Sequence, residues 1–362
     1  MRDLLADYER FVATGSPFGR AVVTSVWGSA PRPEGSCMLA AADGTIAGSV
    51  SGGCVESATA LEIEAAIGRG SPKLVTFGVT DERAWEVGLA CGGTIKVFVE
   101  PTVRAEVLEA ARGTGGEVVV SVVAGPGLGG SVRVFEDGRV EGSLTSRLPL
   151  DAVRQAALGA LKKEASTSQA LETPEGPITL FLEVFPRRPR LVIFGGVQIA
   201  VALVPLAKAL GYHTIVADGR EAFLDRKRFP DAELMLAWPE DAFARIGLDS
   251  SCYVCVLSHD PKFDEPALQI ALRSSAAYVG AIGSRKTQAA RRERLRESGL
   301  TDTEVERLHG PIGLELGGRQ PAETALAILA EITAVRYGGS ARRGEKSTPS
   351  PSDRNPPARA RG

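Results

Sequence analysis

The sequence predicts an α/β protein with two domains, an N-terminal α/β domain that bears thiols and a C-terminal domain with a doubly wound parallel sheet. At 362 residues the chain exceeds the usual size of one domain. In its second half, continuous apolar strands alternate with helices, which is the pattern of a parallel sheet covered on both faces. The basic, proline-rich segment 186–190 lies between the halves and predicts a linker.

In residues 1–185, helix and strand signals alternate with many glycines. We predict a strand over 45–50, a glycine turn, and a helix that begins near Val55 and stops at Gly68. The apolar run 95–99 predicts a further strand, after which 102–185 is a looser α/β segment. The elements predicted there are helices over 102–113 and 150–164, strands over 117–125 and 178–185, and a hairpin over 132–142 that turns at Asp137-Gly138.

Residues 191–338 carry the parallel-sheet pattern. Apolar strands are predicted at 190–196, 212–220, 233–238, 252–258 and 277–284. A helix over 197–211 follows the first strand, and a helix over 321–338 ends the folded part. The remaining residues, 339–362, are polar, basic and rich in proline, and we predict that they are disordered.

The bulk properties exclude several classes of partner and site. Because the net charge is −2, we expect the protein to bind neither nucleic acid nor an anionic membrane. The N-terminal segment is charged and no apolar run reaches the length of a membrane span, so we expect a cytoplasmic protein. Five cysteines at irregular spacing are typical of free thiols, and three scattered histidines predict no zinc site.

Cys54 is the thiol with the clearest chemical setting. It follows Gly52-Gly53 and precedes the predicted helix. Unpaired N–H groups and the positive end of a helix dipole would favour its thiolate, the form that binds metals or attacks electrophiles. The alternative is ordinary packing in a tight turn, because cysteine is often buried. Cys252 and Cys255 form a C-x-x-C within an apolar strand, so we predict two core residues that point to opposite faces.

A second candidate site lies at 194–218. A strand that ends in Gly195-Gly196, opens a helix and precedes an acid at a strand end, Asp218, follows the dinucleotide-binding pattern. However, Val197 would crowd a pyrophosphate and does not readily adopt a positive φ. Asp218 fits NAD better than NADP, and its alternative role is a simple turn with Gly219.

Longer motifs resemble the XdhC/CoxI family, accessory proteins of molybdenum hydroxylases. The first is Gly28-Ser29-Ala30-Pro31-Arg32 with Gly35, and the second is the unbroken run from Asp43 to Glu56. Cys91 lies in a third, Gly88-Leu89-Ala90-Cys91-Gly92-Gly93-Thr94. Motifs of the second half also match: Ser258–Asp264, Gly280–Arg285 and His309–Leu314. Two positions depart from the family, since Val197 replaces a glycine and Gln198 a histidine, which makes NAD(P) binding doubtful.

The resemblance implies a Rossmann-like second domain and a protein that binds the molybdenum cofactor transiently. Such a protein assists sulfuration of the cofactor and inserts it into a hydroxylase of the xanthine or CO dehydrogenase type. The implied partners are that client and a cysteine desulfurase, and the implied state is a homodimer. We expect a maturation chaperone rather than an enzyme. The implied cofactor contacts are Cys54, Cys91, the Gly52 and Gly53 amides, Arg32, Gly195, Gly196, Asp218, His259, Asp260, Ser284 and Arg285.

Alternatives remain for several of these residues. Arg32 would bind a pterin phosphate or lie on the surface. His259 and Asp260 would contact a ligand or cap the next helix, and the glycines before Arg285 would place an anion at a helix N-terminus. An NAD(P)-dependent oxidoreductase that uses the second domain is the alternative function. A third is a scaffold that docks a sulfurtransferase and a hydroxylase without holding the cofactor.

Overall fold

The structure is a computed structural model that describes residues 1–28, 32–78, 93–142, 144 and 148–339. The chain forms two compact units, the first ending at Arg187 and the second beginning at Arg188. Among the described residues, two antiparallel sheets lie in the first unit and one parallel sheet lies in the second. None of the described helices combines the length and the apolar character that crossing a bilayer requires. The predicted disordered tail lies outside the described residues from 340 onwards.

The first sheet has five described strands in the order β3-β2-β1-β5-β4, and all neighbours are antiparallel. The elements of this part are α1 (Leu5–Thr14), β1 (Phe18–Trp27), β2 (Cys37–Ala41), β3 (Ile46–Gly48), α2 (Glu56–Arg69), β4 (Lys73–Phe77) and β5 (Thr94–Glu100). Ile63 and Ala66 of α2 are buried against the sheet. The prediction that α2 stops at Gly68 is wrong: it continues to Arg69 and ends at Gly70, whose φ of +66° suits glycine.

The second sheet, in the order β8-β7-β6-β10-β9, is also antiparallel. Its elements and those packed with it are α3 (Ala105–Arg112), β6 (Glu117–Ala124), β7 (Ser131–Phe135), β8 (Val140–Gly142), α4 (Leu150–Lys162), β9 (Thr167–Thr173) and β10 (Gly176–Phe185). The hairpin at Asp137-Gly138 is confirmed, with a φ of +83° at Gly138. The sequence missed β9 because this edge strand is largely exposed and polar, so it has no apolar pattern.

The second unit confirms the predicted doubly wound parallel sheet. Its six described strands follow the order β13-β12-β11-β14-β15-β16. The strands are β11 (Arg190–Phe194), β12 (His213–Asp218), β13 (Glu233–Leu236), β14 (Cys252–Val256), β15 (Tyr278–Ala281) and β16 (Leu308–His309). The helices are α5 (Gln198–Ala209), α6 (Pro239–Ile246), α7 (Pro261–Arg273), α8 (Arg285–Glu297), α9 (Asp302–Glu306) and α10 (Pro321–Tyr337).

Cys252 and Cys255 of β14 are core residues, as predicted. Cys252 packs in the layer that contains Val192 and Phe263, whereas Cys255 packs in the opposite layer with Leu191. Burial raises the pKa of both thiols. Both therefore remain protonated packing groups rather than reactive thiolates.

A buried ionic network joins the two sheets of the first unit. Arg20 of β1 is fully buried and pairs with Glu100 of the same sheet, at 2.9 Å, and with Glu183 of β10. Arg104 binds the second oxygen of Glu100 at 2.5 Å and donates to Ser121 of β6 at 2.8 Å. Burial lowers the pKa of Arg20, but the adjacent carboxylates more than reverse this and raise it. The guanidinium is therefore a permanent charge that links the sheets.

Candidate functional site

Three connections of the first sheet leave from one end, which we name the thiol edge. Here β1 ends at Trp27, β3 ends at Gly48 and β4 ends at Phe77, while β5 begins at Thr94 opposite Trp27. The β1–β2 loop and the β3–α2 loop therefore emerge side by side. Phe77 and Thr94, close to the two ends of segment 79–92, lie at the same edge. The strand order thus places Cys54 and the described part of the β1–β2 loop at one edge of the sheet.

The β3–α2 loop is folded around the carboxylate of Glu56, the first residue of α2. Its Oε1 accepts hydrogen bonds from the Ser49 hydroxyl at 2.5 Å and from the backbone N–H groups of residues 50–52 at 2.9–3.2 Å. Its Oε2 accepts from the Ser51 hydroxyl at 2.7 Å and from the Gly53 N–H at 2.8 Å. Six donors therefore converge on one side chain. The φ values of Gly52, +84°, and Gly53, +123°, permit this path.

Cys54 is exposed at the outer turn of this loop. The Ser51 hydroxyl oxygen accepts from the N–H groups of Cys54 and Val55, both at 3.0 Å. The prediction of unpaired N–H groups beside the thiol is therefore wrong, because Glu56 and Ser51 already accept from these amides. The Gly52 and Gly53 amides likewise point into the loop, so their predicted role as cofactor contacts does not fit the geometry. The loop holds the thiol outward and fixes its position.

The Glu56 carboxylate is the negatively charged group on which the hydrogen bonds of the loop converge. Burial alone would raise the pKa of Glu56, but hydrogen bonds from Ser49, Ser51 and the loop amides outweigh it and lower the pKa from its usual 4.5 to about 2. Glu56 is thus ionised throughout the physiological range. The sequence places Glu56 within a motif but indicates no role for it. An acid that opens a helix directly after serines and glycines was the available signal.

Arg32 lies in the neighbouring β1–β2 loop and is half-buried. Its Nε is buried and has no hydrogen-bond partner among the described residues. A buried N–H donor without an acceptor costs free energy unless a ligand or water completes it. This favours the ligand-binding alternative for Arg32 over the surface alternative. Cys91, the predicted companion of Cys54, lies outside the described residues.

In the second unit, Gly195 and Gly196 pack closely on other backbone segments. Gly195 has a φ of +115°, and a Cβ there would lie 2.6 Å from the Ser258 nitrogen. A Cβ at Gly196 would overlap the carbonyl oxygen of Phe223. These glycines are thus required by contacts with other backbone segments. These contacts do not test their predicted role as a phosphate-binding turn.

Asp218 is fully buried and does not face a ribose site. Its Oδ2 accepts from the Gly196 N–H at 2.9 Å, and its Oδ1 accepts from the Arg220 N–H at 3.0 Å and from Arg220 Nε at 2.8 Å. The Arg220 guanidinium in turn lies 3.9 Å from the centre of the Phe223 ring. The Asp218 carboxylate therefore ties Gly196 to the turn that follows β12, and this burial does not suit the predicted ribose contact.

We accordingly expect no saturable binding of NAD or NADP by the full chain. The Gly196 amide that would meet a pyrophosphate already binds Asp218, and the adjacent space holds Phe223. Titration with NADH and NADPH, monitored by nicotinamide fluorescence, measures this directly. A tight 1:1 complex with either nucleotide would contradict the expectation and restore the oxidoreductase alternative.

The β14–α7 loop carries His259 and Asp260 at the carboxyl edge of the parallel sheet. Asp260 is the N-cap of α7 and accepts from the Lys262 N–H at 3.2 Å, which is the capping role that the sequence left open. His259 is exposed and adopts a φ of +60°, which is uncommon for a residue with a side chain. Behind them, buried Asp264 accepts from Ser258 at 2.6 Å and from Arg291 at 3.0 Å, which fixes the loop.

Ser284 and Arg285 begin α8. The Ser284 hydroxyl accepts from the Thr287 N–H at 3.1 Å, so Ser284 acts as the helix cap. Arg285 is exposed and pairs with Glu315 at 2.6 Å across the mouth of an open cleft. Of the residues predicted as ligand contacts in the second unit, Arg285 is the one that lines this cleft.

The chain resembles several known proteins along most of its length. It is 27% identical over 329 residues to a Bacillus subtilis protein named as a probable subunit of xanthine dehydrogenase, covering 87% of this chain and 92% of that one. It is 28% identical over 321 residues to the molybdenum cofactor insertion chaperone PaoD of Escherichia coli, covering 88% and 84%. A Bacillus halodurans protein, whose crystal structure is described as a xanthine dehydrogenase, shares the fold with a TM-score of 0.72 at 24% identity, over 94% and 96% of the two chains.

Two family models match separate parts of the chain. The model of the XdhC and CoxI family matches residues 11–78, which include the β1–β2 and β3–α2 loops, and the model of the XdhC Rossmann domain matches residues 191–332. Together the two matched ranges cover more than half of the sequence. The motifs and the matched models agree, and the chain belongs to the XdhC and CoxI family.

Proposed function

We propose that this protein binds the molybdenum cofactor and delivers it to a molybdenum hydroxylase of the xanthine or CO dehydrogenase type. Support comes from relatives that are named as a molybdenum cofactor insertion chaperone and as a probable xanthine dehydrogenase component. The single observation that carries the proposal is Cys54, an exposed thiol on a loop that the Glu56 carboxylate holds in shape. Such a rigid, accessible sulfur suits a reversible ligand of a thiophilic metal.

The residues of the thiol edge fit the chemistry of this group. The cofactor contains a metal that prefers sulfur ligands and a phosphorylated pterin. Cys54 Sγ would bind the metal. The Nε of Arg32, which has no acceptor among the described residues, would donate to the phosphate, which guanidinium groups bind with well-defined geometry. Glu56 binds no ligand in this proposal and instead positions Cys54.

The proposal describes binding and transfer rather than turnover. Sulfuration by a cysteine desulfurase would occur while the cofactor is held, and the client hydroxylase would then receive it. We propose Cys91 as a second sulfur contact and retain the homodimer as a prediction.

A comparison of Cys54→Ser with Cys255→Ala tests the function. Each full-length variant is purified from cells that make the cofactor, molybdenum and pterin are assayed, and apo-hydroxylase is then loaded. We expect Cys54→Ser to lose retention and delivery, because the hydroxyl is a poor ligand for a thiophilic metal. Cys255→Ala should behave as the unaltered chain, since Cys255 is a buried packing group. Normal cofactor content and loading with Cys54→Ser would refute the proposal.

A further inference from the structure

An open cleft of about 620 Å³ lies in the second unit, beyond the carboxyl ends of β15 and β16. Ligands of open parallel sheets bind along this edge, and small-molecule sites have volumes of about 300–1,000 Å³. Beside β11, backbone atoms of Ser258 and Phe223 pack closely on Gly195 and Gly196. The cleft therefore offers room for a ligand at this edge of the described sheet.

The cleft is built on a loop that regular hydrogen bonds hold in place. The Ile312 N–H donates to the Ala281 carbonyl at 3.0 Å, and the Leu314 N–H donates to the Ala327 carbonyl of α10 at 3.1 Å. Gly313, between them, has a φ of +88° and packs directly on the α10 backbone. These contacts fix the shape of the loop.

A buried carboxylate reinforces the floor of the cleft. Glu331 of α10 accepts from the Tyr278 hydroxyl at 2.7 Å and from the Gly313 N–H at 2.8 Å, and it lies 3.2 Å from His309 Nδ1. The His309 ring also packs on the Tyr278 ring, with 4.5 Å between ring centres. This network joins β15, β16, the loop and α10. It fixes the floor in the way that a binding site requires.

The lining of the cleft contains both aliphatic and cationic side chains. Ile312, Leu314 and Ala327 provide aliphatic surface. Glu315 already pairs with Arg285, and the Glu323 carboxylate accepts from the Arg319 and Gln320 backbone N–H groups at the start of α10. Both acids are thereby engaged. Among the described residues, none accepts a hydrogen bond from the Arg319 guanidinium, which lines the cleft.

The first turn of α8 adds positive potential at the same mouth. Arg285 and Lys286 occupy this turn and no acidic residue accompanies them. Cations at the positive end of a helix dipole are unfavourable by themselves, and an anion bound there would relieve the repulsion. The arrangement favours a ligand with an anionic group beside Arg319 and Arg285.

We propose that this cleft binds a heterocyclic organic anion, with its flat ring against Ile312, Leu314 and Ala327 and its anionic group beside Arg319. All of these residues lie in the second unit. The site is therefore independent of Cys54 and goes beyond cofactor delivery at the thiol edge.

Isothermal titration of the full chain with four probes tests the proposal. Guanosine 5′-monophosphate and pterin-6-carboxylate are ring compounds with a phosphate and a carboxylate, respectively, while guanosine and inorganic phosphate each lack one part. We expect saturable 1:1 binding of at least one of the two ring anions, which identifies the preferred anionic group. Guanosine and phosphate should bind at least about tenfold more weakly, because each forgoes one side of the cleft. Binding of neither ring anion would overturn the proposal.

Two variants locate the site. Arg319→Ala should weaken binding about tenfold or more through the loss of a charge-assisted contact, and Thr324→Trp should abolish it by filling the cleft. Arg245→Ala, which removes another exposed arginine of the unit, should bind normally. Unchanged affinity in both cleft variants would overturn the proposal. Cys54→Ala should bind the probe normally, so failure of the thiol site and failure of this one are distinguishable.

Discussion

Replacing Arg20 with methionine is expected to lower the free energy of unfolding of the first unit by about 3–5 kcal/mol, since breaking a buried ion pair leaves a charge uncompensated. Arg20 is the link between Glu100 and Glu183, and both carboxylates are buried. Arg104 would still neutralise Glu100 in the variant. Glu183 would retain no cationic partner among the described residues, so its desolvation would become a direct cost.

Denaturant unfolding of the full chain measures this effect. Arg139→Met is the matched control, because the Arg139–Glu141 pair lies in the same unit with both side chains about half exposed. Exposed pairs contribute about 0–1 kcal/mol, so the control should unfold nearly as the unaltered chain. Glu183→Gln keeps the side-chain size. It provides a second measurement of the free energy of unfolding if Arg20→Met does not fold. A loss below about 1 kcal/mol in both network variants would show that the network is not a stabilising link.

The second unit was readable from the sequence because its signals are local. Apolar strands such as Leu191–Phe194 and Cys252–Val256 are buried on both sides, so their composition alone indicates a parallel sheet. The second antiparallel sheet was not readable to the same degree. Its edge strand, Thr167–Thr173, is defined by pairing with Gly176–Phe185 rather than by its own residues. Pairing between segments leaves a weak trace in composition.

The candidate sites show the same division. Cys54 could be selected from its motif. The role of Glu56 depends on how the loop folds, because six hydrogen-bond donors of the loop point at its carboxylate. Gly195, Gly196 and Asp218 have the spacing of a dinucleotide site, yet each is used for internal contacts. Spacing cannot distinguish a glycine that admits a phosphate from one that admits a neighbouring backbone. Here the backbone of Ser258 lies against Gly195 and that of Phe223 against Gly196.

Glu56 connects the fold of the thiol edge to the proposed chemistry. A loop of serines and glycines has high conformational freedom, so an unanchored Cys54 would lose entropy on binding a ligand. Hydrogen bonds to the Glu56 carboxylate already order the loop before a ligand binds. Cofactor affinity should therefore depend on Glu56 even though Glu56 does not touch the cofactor.

Glu56→Gln is accordingly expected to lose about 2–3 kcal/mol of unfolding free energy at pH 7 and to retain less cofactor, with the Cys54 thiol still present and titratable. A neutral amide accepts less strongly, and its NH₂ group would face N–H donors. Because the pKa of Glu56 falls from 4.5 to about 2 on folding, its contribution is complete above about pH 5 and is lost as the pH falls through 4.5 towards 2.

The stability difference between Glu56→Gln and the unaltered chain should therefore be constant from pH 7 to about 5 and shrink as the pH is lowered from about 5 towards 2, in denaturant unfolding curves recorded at each pH. Glu64→Gln, an exposed acid of the same helix, is the matched control and should show no such difference at any pH. A constant difference would mean that the charge of Glu56 is not what holds the loop. The contrary result for the cofactor is a Glu56→Gln variant that retains the full amount while its first unit is measurably destabilised. That result would show that Cys54 binds its ligand without a preordered loop.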